Sequence, residues 1–315
     1  KQIEISTNCW SKIIKKGDVY ALNAPYDGGT HLPDITVIKP IFHQSKDEIL
    51  FFVAARGHHT DIGGLTPGPM PPDSRDIKDE GVYIDNFKLV QNGNFKKREI
   101  SDLLLGAKFP VRSLSKNLAD LRAQVAACEK GELELRDLIN EYGVTLVTKY
   151  TKFVNNNASE MVRNILKSIK KGSYIYYMDD DIDNKKRKIC VSVSTTKNPE
   201  KIVVDFSGTT SQTETNFNAP QPVTRAAVLY AIRILVGGKI PMNAGLMENV
   251  KLVLPKGTIL SPEYPAAVIA GNVETSQAVT SALLLAFGVQ AASQSTMNNV
   301  TWGNKKYQYY ETICG

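Results

Sequence analysis

The sequence is sparing with the residues that most often announce a chemistry. Its 315 residues include 4 cysteines, 4 histidines and 2 tryptophans. Cys9, Cys128, Cys190 and Cys314 lie far apart and form no C-x-x-C pair, which excludes a disulfide scaffold. Thiols in a reducing, cytoplasmic setting are expected instead. No apolar run is long enough for a membrane span, and no signal or transit pattern opens the sequence. Glycine (22) and proline (15) are too few for collagen, and 42% hydrophobic residues are too many for long disorder. Charge of neither sign dominates: 38 Lys+Arg against 32 Asp+Glu leave a net +6. That excess is scattered over Lys15-Lys16, Lys96-Lys97-Arg98 and Lys185-Lys186-Arg187-Lys188 rather than gathered in a stripe, so no nucleic-acid partner is expected. Gly237-Gly238-Lys239 lacks the upstream glycine of a P-loop, and no G-x-S-x-G elbow occurs. Ser207-Gly208-Thr209-Thr210 is read as a plain hairpin rather than a phosphate cradle.

What is there reads as an α+β protein of mixed strands and helices, not a doubly wound Rossmann sheet. Short apolar runs at Val19–Leu22, Ile35–Phe42 and Ile49–Ala55 predict strands within a β-rich first 55 residues. Residues 56–72 are dense in glycine and proline and predict a long loop without regular structure, of the kind that is functional or disordered. Asn117 is expected to cap a helix ended by Gly131, followed by a short helix over 132–141 stopped by Gly143. A further helix is predicted over 157–171. Strands follow at 174–178, 188–194 and 202–206, with a polar hairpin tip between the first two. Apolar helices over 222–236 and 275–292 flank a strand at 249–254. An internal subdivision is expected near 172–206, between a part spanning 1–171 and an Asn/Gln-rich helical part spanning 207–315. Residues 207–303 are the least charged third, which suits a buried or interface-forming half; an oligomer is also expected. Cys128 and Cys190 sit on apolar faces and are expected in the core.

The histidines are concentrated. Two of the four open an H-x-x-D pattern, His31-Leu32-Pro33-Asp34 and His58-His59-Thr60-Asp61, each beside a Gly-Gly pair. Two imidazoles and one or two carboxylates form a mixed N/O donor set suited to Mn²⁺, Fe²⁺ or Zn²⁺, with positions left open for water or substrate. The bland alternative is that these side chains only bond turns and caps. Spacing leaves open whether His58 or His59 faces a metal; the other could serve as a general acid or base.

These motifs carry a resemblance. Gly17-Asp18-Val19, Asn23-x-Pro25-Tyr26-x-Gly28-Gly29-Thr30-His31-Leu32-Pro33-Asp34 and Arg56-Gly57-His58-His59-x-Asp61-Ile62-Gly63-Gly64 occur in order. Pro67-Gly68-x-Met70-Pro71-Pro72, the Asn117–Ala127 helix, Asp205-Phe206-x-Gly208-Thr209 and Asn216-x-Asn218-Ala219-Pro220 follow. Gly271-Asn272-Val273-x-Thr275-Ser276-Gln277, Met297-Asn298-Asn299 and Tyr309-Tyr310-Glu311-Thr312 complete the series. Over essentially its whole length the chain resembles the hydantoinase B family, the B-type half of ATP-dependent 5-oxoprolinase and N-methylhydantoinase. Lys88-Leu89-Val90-Gln91 leans toward the 5-oxoprolinase branch. The family pattern runs past both ends of the sequence, so a fragment of a larger chain is expected.

The resemblance implies a reaction in two parts. A hydantoinase A-type subunit or domain binds ATP and phosphorylates the amide oxygen of a small lactam. The B-type part, which carries no nucleotide site, then opens the activated ring with water. Acetone carboxylase, a relative, holds a metal at positions aligning with His31, Asp34 and His58, which are thereby implied as ligands of a divalent Mn, Fe or Zn ion. Such an ion makes water nucleophilic near neutral pH. His59 and Asp61 are implied beside it as catalytic groups, supporting the ligands or shuttling protons. Asn272, Gln277, Asn298 and Asn299 are implied as hydrogen-bonding contacts to substrate or oxyanion. The expected activity is ATP-coupled conversion of 5-oxoproline to glutamate. An N-methylhydantoinase subunit, an acetone-carboxylase-like subunit and an inactive scaffold are the alternatives.

Overall fold

A computed structural model describes residues 14–166, 168–197, 201–238, 240–304 and 307–313. Cys9, Cys314, Lys239 and the start of the β-rich stretch lie outside the described residues. The chain divides into two compact units, residues 1–137 with 299–315, and residues 138–298. The division falls at 137/138, and the strands within residues 172–206 lie together in one sheet of the second unit.

The first unit is built on an antiparallel sheet of order β3-β2-β1-β4-β5. Its strands are β1 (Val19–Leu22), β2 (Asp34–Phe42), β3 (Ile49–His58), β4 (Phe87–Gln91) and β5 (Asn94–Phe95). Ile35, Val37 and Ile41 recur at even spacing in β2 and are wholly buried. Each such side chain contributes about 1.5–3 kcal/mol by leaving water. β3 runs three residues further than its apolar run, to His58, because Arg56 and Gly57 stay paired with Thr36 and Ile35. After it, residues 59–76 contain no regular element, as the Gly/Pro density predicts. Helices α1 (Ile77–Glu80) and α2 (Lys97–Leu105) flank β4 and β5 in sequence. Neither β4, β5 nor α2 has a signal strong enough to be read from the sequence.

Helix α3 (Leu114–Tyr142) corrects the expected pair of helices. Gly131 does not end it. Lys39, buried in β2, reaches Glu129 at 2.5 Å and Glu132 at 2.6 Å, so one cation binds the helix on both sides of the glycine. Nor is Asn117 the cap: it lies inside the helix, buried, with its amide turned into the unit. Cys128 is on the buried face of the same helix, its Sγ 3.6 Å from the Val37 carbonyl.

In the second unit Gly143, at φ +79°, separates α3 from α4 (Val144–Ile165), which starts earlier and stops earlier than the predicted 157–171. The sheet order is β6-β7-β8-β9. β6 (Gly172–Asp180) and β7 (Lys185–Thr195) form the predicted hairpin, with Asn184 in the left-handed region at its tip. β8 (Ile202–Asp205) pairs in parallel with β9 (Val250–Val253), and α5 (Gln221–Val236) and α6 (Gly245–Glu248) lie in the connection between them. Helix α7 (Thr275–Phe287) packs on β6 and β7. It stops at Gly288, whose φ of +64° and N–H to Leu284 end it before the expected 292. Phe206, Val228, Ile232, Leu283 and Phe287 are central to this core. Cys190 is only half-buried, its Sγ 3.3 Å from the Gly208 carbonyl. Residues 207–210 turn after β8, where the Thr209 and Thr210 hydroxyls accept from the Cys190 and Lys188 amides. The 298–303 and 308–313 segments form a two-stranded ribbon, β10 (Asn298–Gly303) and β11 (Gln308–Ile313). Among the described residues no helix is long and apolar enough to cross a membrane.

Candidate metal centre

The site is assembled at the end of the β2–β3 hairpin. Between β1 and β2 the chain makes a 3-10 turn over Pro25–Asp27, and Gly28 leaves it at φ +108°. Gly29 then passes so close to β1 that a Cβ there would lie 2.3 Å from the Asn23 carbonyl oxygen, so glycine is required. The buried Asn23 side chain fastens the loop: its amide donates to Leu32 O (2.8 Å) and Val82 O (2.9 Å) while its oxygen accepts from Ile84 N (2.7 Å). The backbone N–H of Asp34 donates to His31 O, and that of His59 to Pro33 O. Proline inside the first motif thus receives the start of the second.

Asp34 and His58 are direct partners in the β2–β3 ladder. His31, in the turn before β2, brings Nδ1 to 3.3 Å from Asp34 Oδ2. Donor atoms of His31, Asp34 and His58 all lie within 4.8 Å of one another, with His31 buried, Asp34 half-buried and His58 exposed. Bonds of about 2.0–2.2 Å let one cation span donors roughly 4.4 Å apart, so small side-chain rotations suffice. Two imidazoles and one carboxylate, with solvent on the His58 side, fit a divalent Mn, Fe or Zn ion with open positions. Burial works against the Asp34 charge, but the hydrogen bond and field of His31, the Thr30 hydroxyl (2.8 Å) and His58 outweigh it and lower its pKa to about 2. The same burial, with His31 close by, depresses the pKa of His58. Neutral imidazole and ionised carboxylate are the forms that bind metal.

His59 is turned elsewhere. It is buried, with Nδ1 3.2 Å from Asn117 Nδ2 and Nε2 3.1 Å from Gln124 Oε1. Asn117 also donates to Asp61 O, and the Gln124 amide donates to Ile35 O and Ala55 O. Those amide orientations make Nδ1 the acceptor and Nε2–H the donor, a neutral tautomer. Asp61 is buried too. Its carboxylate accepts from the Gly63, Arg112 and Ser113 backbone amides and pairs with Arg112 at 3.3 Å. It therefore sits at the N-terminal end of α3, where the helix dipole favours an anion.

The four expected amide contacts are divided. Asn272 ends a 3-10 turn in the second unit and donates to Val268 O; Gln277 is exposed on α7. Asn298, exposed at the start of β10, accepts from Thr296 Oγ1. Asn299 belongs to the first unit, where it accepts from Tyr310. Asn23, Thr30, Asn117, Gln124 and Tyr310 were missed as site residues. The first two are signalled by adjacency to the histidine motifs; Asn117, Gln124 and Tyr310 lie in stretches that carry the resemblance, but only three-dimensional packing brings them to the histidines.

Comparison with known proteins now fixes the family. The Hydantoinase B/oxoprolinase model matches residues 2–315, and the chain belongs to that family. It is 41% identical to 5-oxoprolinase 1 of Arabidopsis thaliana over 97% of this chain and 26% of that protein. The chain spans about a quarter of the length of the first curated relatives it matches. The fold is that of the ATP-dependent caprolactamase from Pseudomonas jessenii (TM-score 0.81, 24% identity, 99% of this chain and 54% of that one). It is shared with a nucleotide-free acetone carboxylase structure (TM-score 0.75, 19% identity, 90% of this chain and 38% of that one).

Proposed function

We propose that this chain is the ring-opening part of an ATP-coupled cyclic-amide hydrolase, with 5-oxoproline as substrate and glutamate as product. The observation that carries the proposal is the convergence of His31, Asp34 and His58 in a chain 41% identical to a 5-oxoprolinase. An amide carbonyl resists water because of resonance, and phosphorylating its oxygen creates a better leaving group. ATP is bound and spent on an A-type subunit or domain, in keeping with the missing P-loop here. A divalent ion at the cluster supplies Lewis acidity to an oxygen.

This chain's own residues do the rest. His31 and His58 would hold the ion through ring nitrogens. Asp34, anionic throughout the physiological range, adds the charge. Asn23 fixes the loop that carries His31. His59 and Asp61 act through structure: the first locks α3 to the end of β3, the second anchors the start of α3. On the resemblance alone, Asn272, Gln277 and Asn298 are proposed as polar contacts to the lactam. Free thiols at Cys128 and Cys190 suit a cytoplasmic enzyme.

The test is glutamate release from 5-oxoproline by the full-length protein with its ATP-binding part, ATP and a divalent metal. Activity that needs both ATP and metal is expected. Bicarbonate-dependent turnover of acetone-like substrates in its place would favour the carboxylase alternative.

A further inference from the structure

His58 is the exposed member of the cluster, at the very end of β3. An exposed imidazole on a strand end is free to change rotamer, and a ligand that must be ordered on binding costs affinity. Two rings restrain it. The His31 ring lies 5.3 Å away, tilted by 53°. The Tyr310 ring lies 5.8 Å away, only 16° from parallel.

Tyr310 comes from β11, in the ribbon formed by residues distant in sequence from both histidine motifs. It is fixed in turn. Its hydroxyl donates to Asn299 Oδ1 in β10 at 2.7 Å, and the Thr312 hydroxyl lies 3.4 Å from the same oxygen. A second contact ties the ribbon to the loop after β3. Gly68, at φ +96°, lies so near Thr301 of β10 that a Cβ would meet the Thr301 Cβ at 3.0 Å. The ribbon therefore meets the end of β3 at His58, a proposed ligand, and the loop after it at Gly68. Trp302 and Tyr309 pair 5.5 Å apart and are exposed, so the ribbon's aromatics are not all used alike.

We propose that Tyr310 is a positioning residue for the metal centre: stacked on His58 and held by Asn299, it fixes the orientation in which His58 presents a nitrogen to the divalent ion. The inference rests on the reading of His31, Asp34 and His58 as ligands. It also assigns Asn299 a role through Tyr310. Groups that orient ligands typically change metal affinity by about 10–100-fold when removed.

The experiment is a Co²⁺ titration of the full-length protein without nucleotide, followed by the visible absorption of the bound ion. Variants are Tyr310→Ala, Tyr310→Phe, His31→Ala and His58→Ala, each checked for folding by circular dichroism. His31→Ala and His58→Ala abolish the band. Tyr310→Ala weakens Co²⁺ binding by about 10–100-fold and alters the band. Tyr310→Phe, which keeps the ring and loses the hydroxyl, lies between it and the unmodified protein. If the alanine variant does not fold, Tyr310→Leu takes its place. An unchanged affinity and band in the folded Tyr310 variant, with both histidine variants silent, overturns the positioning role alone. Histidine variants that retain the band overturn the ligand assignment and the positioning role with it.

Discussion

Asp34 and His58 face each other across the end of the β2–β3 ladder, while His59, one residue on, is buried against α3. β3 ends at His58, and His59, the first residue past it, is held by its N–H to Pro33 O with its ring on Asn117 and Gln124, so adjacent histidines have different surroundings. The expected consequence is a double dissociation. His58→Gln lowers divalent-metal affinity by more than tenfold with little change in stability. His59→Leu leaves Asn117 and Gln124 without their shared partner and costs about 1–3 kcal/mol of stability, with metal affinity within a few-fold of normal. Isothermal titration and urea denaturation of the two variants read the contrast. Equal loss of metal from both would contradict it.

Gly131 gives a second expectation. It lies within α3, and a Cβ there would meet Val53 Cγ1 at 3.5 Å, an ordinary contact. Glycine in a helix interior is worse than alanine by roughly 0.5–1 kcal/mol. Gly131→Ala therefore raises stability by about that amount in urea denaturation. A destabilised variant would mean that the helix needs the glycine.

Much of the first sheet was legible before the structure because its strands are apolar runs punctuated by Gly, Pro and Asn. The trio His31, Asp34 and His58 was implied by the resemblance; the motifs alone left His58 and His59 open, and it is the β2–β3 ladder that sets Asp34 beside His58. Gly131 misled because its helix is completed by Lys39, about ninety residues earlier and invisible to local propensity. The pairing of β1 with β4 has the same cause: Tyr20 meets Lys88 across a stretch that no periodicity records. Asn117 looked like a cap because asparagine caps helices; burial of its amide against His59 and Asp61 is a tertiary fact. Tyr310 is the extreme case, joined to His58 only by folding.

Asp18 gives the first unit a pH-dependent contribution to stability. Its buried carboxylate accepts from Lys88 Nζ (2.7 Å), Asn92 N (3.1 Å) and Lys15 N (3.2 Å). Burial alone would raise its pKa, but the Lys88 and backbone hydrogen bonds outweigh burial and lower it. A depressed folded pKa contributes stability that is complete above the unfolded value, about 3.9, and is lost as pH falls through the folded value. Asp18→Asn is therefore less stable at pH 7 and loses less on acidification from about pH 5 to pH 2. Urea denaturation across that range measures the difference. Parallel curves for the two proteins would contradict the assignment.

The most direct measurement pairs elemental analysis with glutamate release from 5-oxoproline, using the full-length protein with its ATP-binding part. The unmodified protein is compared with a His31→Ala, His58→Ala double variant. A divalent ion in the first, absent from the second, together with loss of ATP-dependent glutamate release, is the predicted result. Unchanged metal content, or unchanged glutamate release by the double variant, would contradict a metal-dependent ring opening at this site.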